Sequence, residues 1–459
     1  MYSPRQKLLW FAFSSRVVLL VIQAVTNFVI PDHEANVFVS PEDVNLRRTV
    51  ADAVVDMLLG GLKRWDAQYF IHIAQFGYTY ENCLAFFPFF PLVVRYIAYG
   101  LSSIVGSFLN IHSCLLISAT VINLIMFIKS ADILHRLSLR ILRSESKAYK
   151  SVVLYCVNPA SIFFSAPYSE TLFALMSFYT MLKCTENETL RFANIDIVSG
   201  LPAGFSMITR SNGSVNMGFI LYTSFKNVIE RTLPEITYNY LKFCVPGQHN
   251  LPEFLSNSEY VLPGSGDSPW CNSSLPMSYT YIQSHYWDVG LFKYYKFKQI
   301  PNFLLASPIL FLTIYHCMSH SSKSFGANDP TIFVYIVHVL SLSIFCIIFV
   351  HIQVSTRLLS SASPILYWIG SYKMSVGPTP TSDQNTINEH FRRVGIGKRI
   401  PSHHLSIANL EGVDNMYSKW KTFIITRWMP DFQSRLIQYY FLGYFFMGTV
   451  LFCNFYPWT

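Results

Sequence analysis

The chain reads as an all-α integral membrane protein that crosses the bilayer several times. Three observations carry this. Charged residues make up 13% of the 459 positions and hydrophobic ones 51%, whereas soluble domains hold about 25% charged residues. The mean hydropathy is +0.32. Several apolar runs reach or approach the roughly 20 residues that a spanning helix needs. A soluble chain of this length would split into about two or three domains; here one multi-spanning domain over 1–459 is expected.

The first span is 8–30. Arg5 and Lys7 precede it, and the run is too long for a cleaved leader and lacks a small-residue cleavage site. It reads as a signal anchor with its N-terminus in the cytosol. Arg16 lies inside it, where an Arg is costly and either pairs with a neighbouring helix or serves function. The loop 31–86 follows on the lumenal side, with helical spacing of apolar residues over 46–62. The run 86–108 carries Pro88, Pro91 and Arg95, and 111–128 is a cleaner span. Residues 129–150 hold six Lys or Arg against two acids, so they belong in the cytosol. That requires 86–108 to be interfacial or re-entrant rather than crossing.

Short spans at 152–165 and 171–182 flank the polar turn APYSE. A long run at 195–225 is broken by RSNG at 210–213. Further spans are 302–318, 331–350 and 436–452, with a shorter one at 358–369. The polar stretch 371–430, with its basic HFRRVGIGKR, reads as a cytosolic loop. Residues 226–300 contain no run of spanning length. The sequon at Asn272 marks 238–300 as a lumenal loop. Cys244 and Cys271 flank part of it and can pair if it is lumenal. The segment YTYIQSHYWDVGLFKYYKFKQIPNF is rich in Tyr, Trp and Lys. It is either an interfacial belt or a platform for sugar and phosphate.

The net charge of +8 fits basic cytosolic loops, and no nucleic-acid motif accompanies it. The other cysteines show no metal-ligand spacing. There is no H-E-x-x-H, G-x-S-x-G or P-loop, so protease, esterase and NTPase readings lack support. Neither a metal nor a cofactor is expected. Sugar transfer from a lipid phosphate needs a carboxylate to take the acceptor proton and cations to stabilise the leaving phosphate. Asp66, in RWDAQYF after the first span, is the candidate base; its alternative is an N-cap for the helix starting near Ala67. Glu81 and Glu170 are further carboxylates. Arg210 and Arg357 lie beside or within apolar segments, and Arg donates two parallel hydrogen bonds to phosphate. Trp65, Tyr168 and Trp287 are the aromatic candidates. Asn212, Lys293, Gln299 and Gln353 are the remaining polar candidates for substrate contact. His72 reads as polar packing.

An ordered set of segments runs almost the whole length: Pro31-Asp32-His33, RWDAQYFIHIAQFGYTYENCLAFFPFFPL, NPASIFFSAPYSETLFAL, ITRSNGSVNMGF, YWDVGLFKYYKFKQIPNFLLASP, HIQVSTRLLSSASPILYW and FCNFYPWT. Together they resemble the GPI mannosyltransferase 2 family. The resemblance implies a GT-C glycosyltransferase architecture in the endoplasmic reticulum membrane with a lumenal active site. It implies dolichyl-phosphate mannose as donor and an α-1,6 transfer of the second mannose to a mannosyl-glucosaminyl-phosphatidylinositol acceptor. The family's Trp-Asp pair falls on Trp65 and Asp66. A β-linked donor and an α-linked product imply inversion in one displacement. The lipid-linked donor and acceptor are the implied partners, with a small membrane partner subunit left open.

The chain departs from the family in one place. Members carry another span between the RSNG helix and the segment matched by TYNYLKFC, whereas here Phe225 leads through KNVIERTLPEI directly to Tyr238. With Lys226 cytosolic, Asn272 is expected to stay unglycosylated and the YWDVGLFKYY segment to be separated from Asp66, unless an upstream segment is placed differently. The rival readings are another dolichyl-phosphate-mannose enzyme, for N-glycan or protein O-mannose, and a lipid transporter or scramblase.

Overall fold

The structure, a computed structural model, describes residues 4–35, 37–41, 46–187, 197–223, 233–246, 261–265, 268–273, 278–320, 330–373 and 432–458. Among these the regular elements are helices, with no strand. In lipid a spanning segment must satisfy its backbone groups internally, which a helix does. Among the described residues four helices are long and apolar enough to cross a membrane: Arg5–Val29, Ile111–Leu142, Phe297–Met318 and Phe432–Cys453.

Helices α1 (Pro4–Val29) and α5 (Ile111–Leu142) pack antiparallel. Near one end Arg5 Nε meets Asp132 Oδ1 at 2.6 Å. Midway, the Arg16 guanidinium lies 4.1 Å from the Phe127 ring centre. At the other end α2 (Val50–Leu59) touches both helices. Its Leu58 carbonyl accepts from Gln23, and its Asp52 Oδ1 accepts from the Asn110 amide at 2.9 Å, at the head of α5. Residues 30–110 therefore leave and return on one side. Helix α4 (Phe89–Val105) lies within that excursion; it is apolar but shorter than the four helices long enough to cross. Local chemistry sets these starts. Thr49 and Asp52 form a capping box on α2, and Asn110 Oδ1 caps α5 through the Ser113 amide.

The segment 152–165, expected to span, is helical only in part. Helix α6 (Glu145–Cys156) ends before Asn158-Pro159, since proline removes a donor and disfavours helix in the residue before it. One tight turn, Ser161–Phe164, follows, and α7 (Glu170–Asn187) starts after Pro167. Arg16 holds this turn. It is 1% exposed and donates to the carbonyls of Cys156 at 2.6 Å and Ser161 at 2.9 Å. These acceptors include an end carbonyl of α6, which has no partner within its helix. Arg16 thus has the structural role, with carbonyls in place of a carboxylate. Asn123 adds bonds to the carbonyls of Ala166 and Tyr168.

The run 195–225 becomes α8 (Ile197–Met207) and α9 (Gly213–Thr223), with RSNG as their turn. Helix α10 is Leu233–Phe243 and α11 is Ser278–Trp287. Helices α12 (Ile300–His320) and α13 (Pro330–Ile348) match expected spans. The shorter span 358–369 divides at Ser363-Pro364 into α14 (Ser355–Ala362) and α15 (Ile365–Lys373). Helix α16 is Phe432–Cys453. The stretch from Lys226 to Arg231 and the basic HFRRVGIGKR lie outside the described residues. One main core joins α1, α3 (Ala67–Phe76), α5 to α7 and α12 to α16.

Candidate active site

The site begins at a clasp between the first loop and the C-terminal segment. Arg64 donates through Nη2 to Asn27 Oδ1 and Asp32 Oδ2, each at 2.9 Å, and through Nε to the Cys453 carbonyl at 3.1 Å. Its guanidinium lies 4.6 Å from the Phe455 ring centre. His33 stacks on Tyr456, and its amide donates to the Asn454 carbonyl at 2.9 Å. Trp65 adopts a left-handed backbone, φ 56°, with its ring edge against Phe455, whose φ is 58°. Bulky residues rarely hold this conformation. Here it reverses the chain so that Asp66 emerges at the head of α3.

Asp66 stands at the N-cap position of α3, but its side chain makes no capping bond. The capping alternative therefore fails. The carboxylate turns to Arg357 on α14, with Oδ2 2.8 Å from Nη1, and is 27% exposed. Arg357 Nε also lies 3.8 Å from Glu170 Oε1, and Arg210 Nη1 pairs with that same oxygen. Glu170, at the head of α7, is fully buried. Asp66, Arg357, Glu170 and Arg210 form one continuous chain of two acids and two bases. Its members come from four separate parts of the sequence, and its exposed end is the aspartate.

Tyr168 borders the chain. The Arg357 guanidinium sits 5.6 Å from its ring centre and 5.2 Å from that of Phe163. Burial, with the charges of Asp66 and Glu170, pushes the Tyr168 phenol pKa well above its ordinary value. The phenol stays protonated and donates to the Arg64 carbonyl at 3.3 Å. Asn212 accepts from Arg210 Nε at 3.4 Å. Buried polar atoms nearly always have partners. Yet among the described residues Trp65 Nε1, Asn212 Nδ2 and both Glu170 oxygens have no hydrogen-bond partner beyond the ion pairs already named. These unpartnered atoms lie on residues of, or next to, the charge chain.

The other sequence candidates fall in two groups. Glu81 is 1% exposed and both its oxygens are engaged. Ser268 and Trp270 donate to Oε1, the latter at 2.8 Å, and Tyr286 donates to Oε2 at 2.9 Å. A disulfide, Cys244–Cys271, closes the same region. The structure therefore joins the Trp-Tyr-Lys segment to the Asp66 loop, correcting the expected separation. Trp287 meets Tyr69 and Phe86, each at 5.9 Å. Phe86 meets Phe70 at 5.2 Å, and Phe70 meets Tyr168 at 5.9 Å. The second group surrounds Tyr294, whose hydroxyl reaches Gln299 at 2.7 Å and Gln353 at 3.1 Å. Lys293 stands beside it, bonded to Ser284 at 2.8 Å. His72 is saturated by Ser40 and Thr79, and burial lowers its pKa to about 4, so it is neutral packing. Arg64 was missed, although its place directly before Trp-Asp was a usable signal.

A carboxylate on a reversed loop, held against a guanidinium chain within a multi-spanning helical membrane protein, is the arrangement expected of an integral-membrane glycosyltransferase. The sequence comparisons name the kind. The chain belongs to the mannosyltransferase (PIG-V) family, whose model matches residues 5–237 and 231–459. It is 37% identical to GPI mannosyltransferase 2 of Drosophila melanogaster, over 80% of this chain and 91% of that protein. It is 34% identical to the Drosophila pseudoobscura pseudoobscura protein of the same name, over 99% and 100%. It is 32% identical to GPI alpha-1,6-mannosyltransferase 2 of Homo sapiens, over 99% of each. No solved structure matches. The human alignment runs to 518 positions against 459 residues, so that relative carries residues this chain lacks. The two matched pieces overlap at 231–237, at the start of α10.

Proposed function

We propose that this chain adds the second mannose of the GPI anchor, transferring it in α-1,6 linkage from dolichyl-phosphate mannose to a mannosyl-glucosaminyl-phosphatidylinositol acceptor. The observation that carries the reading is the chain Asp66–Arg357–Glu170–Arg210. Asp66, at its exposed end, takes the proton of the attacking hydroxyl. The hydroxyl oxygen forms the new bond to the anomeric carbon as the bond to phosphate breaks. The leaving electron pair goes to dolichyl phosphate, whose charge Arg357 and Arg210 stabilise through planar, bidentate donors. Glu170 keeps both guanidinium groups in place. One displacement with one base inverts the β-linked donor.

The site is assigned to the lumen of the endoplasmic reticulum. In support, the Cys244–Cys271 disulfide is of a kind that persists in oxidising compartments, and its region is tied to the Asp66 loop through Glu81. Expression in cells lacking the second mannosyltransferase tests the proposal. The expected result is loss of the accumulated single-mannose intermediate and return of GPI-anchored proteins to the surface. Rescue of an N-glycan or O-mannose defect with no effect on that intermediate would point to a different acceptor.

A further inference from the structure

His351 heads the segment HIQVSTRLL, in the turn between α13 and α14, six positions before Arg357. Nothing in its sequence context sets it apart. Its surroundings do. The ring stacks on Tyr294 with centres 4.4 Å apart, and Tyr294 is the hub that gathers Gln299, Gln353 and Asn302. One ring N–H is bonded to the backbone of Trp287, the residue whose indole begins the aromatic path to Tyr168. The other nitrogen, Nε2, is buried and has no partner among the described residues. The charges of Asp288, Lys296 and Arg357 all bear on the ring. Burial is the main influence on it and lowers its pKa, so the imidazole is neutral.

A neutral imidazole has one N–H and one lone pair. The N–H is committed to Trp287, which leaves the lone pair on Nε2. A buried acceptor without a donor costs about 1–3 kcal/mol, so an arriving O–H gains directly by meeting it. The Tyr294 face covers the ring, the Tyr294 hydroxyl gathers three amide side chains, and the charge of Arg357, a member of the charge chain, bears on the imidazole. Such a setting suits a polyol better than a phosphate, because a phosphate brings acceptors to an acceptor.

We propose that His351 binds a mannose hydroxyl, accepting its hydrogen bond at Nε2 and setting the sugar's orientation relative to Asp66. The proposal rests on the mannosyl-transfer reading and adds to it a residue and a contact. The hydroxyl belongs either to the donor mannose or to the acceptor mannose, and kinetics separate the two.

The test uses full-length protein in microsomes from cells lacking the second mannosyltransferase, with dolichyl-phosphate mannose and the single-mannose acceptor varied in turn. His351→Asn keeps a donor for the Trp287 carbonyl but has no atom at the Nε2 position. His351→Gln places an amide group there. We expect His351→Asn to accumulate normally and to raise the KM for one of the two substrates about tenfold, a loss of about 1.4 kcal/mol, with kcat within a few-fold. His351→Gln should recover part of that loss. The substrate whose KM moves is the one His351 holds. Unchanged KM values for both substrates would overturn the proposal. So would a kcat falling a hundredfold at constant KM, which would make His351 a proton acceptor, and so would failure of His351→Asn to accumulate, which would make the ring a packing element. Asp66→Asn run in parallel tests the transfer reading separately. Activity in that variant would defeat the base assignment whatever His351 does.

Discussion

Glu81 and Glu170 are both carboxylates buried to 1% exposure or less, but the protein holds them in opposite ways. Glu81 receives neutral donors from Ser268, Trp270 and Tyr286, and both of its oxygens are satisfied. Glu170 faces two guanidinium groups, and neither of its oxygens has a hydrogen bond among the described residues. A carboxylate saturated by neutral donors fixes one loop onto another. A carboxylate that only balances cations leaves those cations able to answer a new negative charge. Burial and residue type are the same in both places, and the partners separate a fastening from a working part.

The comparison can be broken most severely at the end of the charge chain. Asp66→Asn keeps the side chain's shape and removes its basicity. We expect transfer to fall about 10²–10⁴-fold while membrane accumulation and the Cys244–Cys271 disulfide stay at wild-type levels. Full rescue of null cells by weakly expressed Asp66→Asn would remove Asp66 from the chemistry.

Glu81→Gln should behave in the opposite sense. Its new NH₂ meets O–H and N–H donors, and each buried group left unpaired costs about 1–3 kcal/mol. We expect a lower melting temperature in detergent and incomplete Cys244–Cys271 pairing, with the folded fraction retaining normal turnover per molecule. A stable, fully paired but inactive Glu81→Gln would move Glu81 into the substrate site.

A smaller effect should distinguish the two arginines. Arg357→Lys keeps the charge and loses the planar fork. We expect the KM for dolichyl-phosphate mannose to rise about tenfold, with Arg210→Lys milder because Arg210 stands farther along the chain from Asp66. If Arg357→Lys matches wild type while Arg210→Lys is inactive, the phosphate contact belongs to Arg210.

The mildest test leaves activity alone. Asn272 is exposed at the end of a short turn, two residues after the Trp270 that bonds Glu81. That places it beside the Asp66 loop, so the lumenal proposal, unlike the expectation that it stays unmodified, predicts a glycan there. We expect a glycosidase-sensitive mass shift that Asn272→Gln abolishes. An unmodified Asn272 in a chain with an intact disulfide would argue against the lumenal assignment.

The sequence made individual charges legible and their pairings illegible. Asp66, Arg210, Glu170 and Arg357 were all recognisable, because a charge within or beside apolar sequence is expensive. What tied them together was not recognisable, since they come from four distant segments. Glu81 looked equally functional because its saturating donors lie 187 to 205 residues later. Prolines 159, 167 and 364 marked helix breaks, yet 152–165 and 358–369 still read as spans. Their turns are buried in protein and so remain apolar.

The clasp between Arg64 and the Cys453 carbonyl joins residues 389 positions apart. At roughly 5–20 residues per second of synthesis, the loop bearing Asp66 waits on the order of 20 to 80 seconds for the segment that fastens it. During that interval the helices that follow are being made while the Trp65 turn has no Phe455 to rest on. The candidate site is therefore completed late in biosynthesis, and a nascent chain released early would carry every member of the charge chain without the brace that orients Asp66.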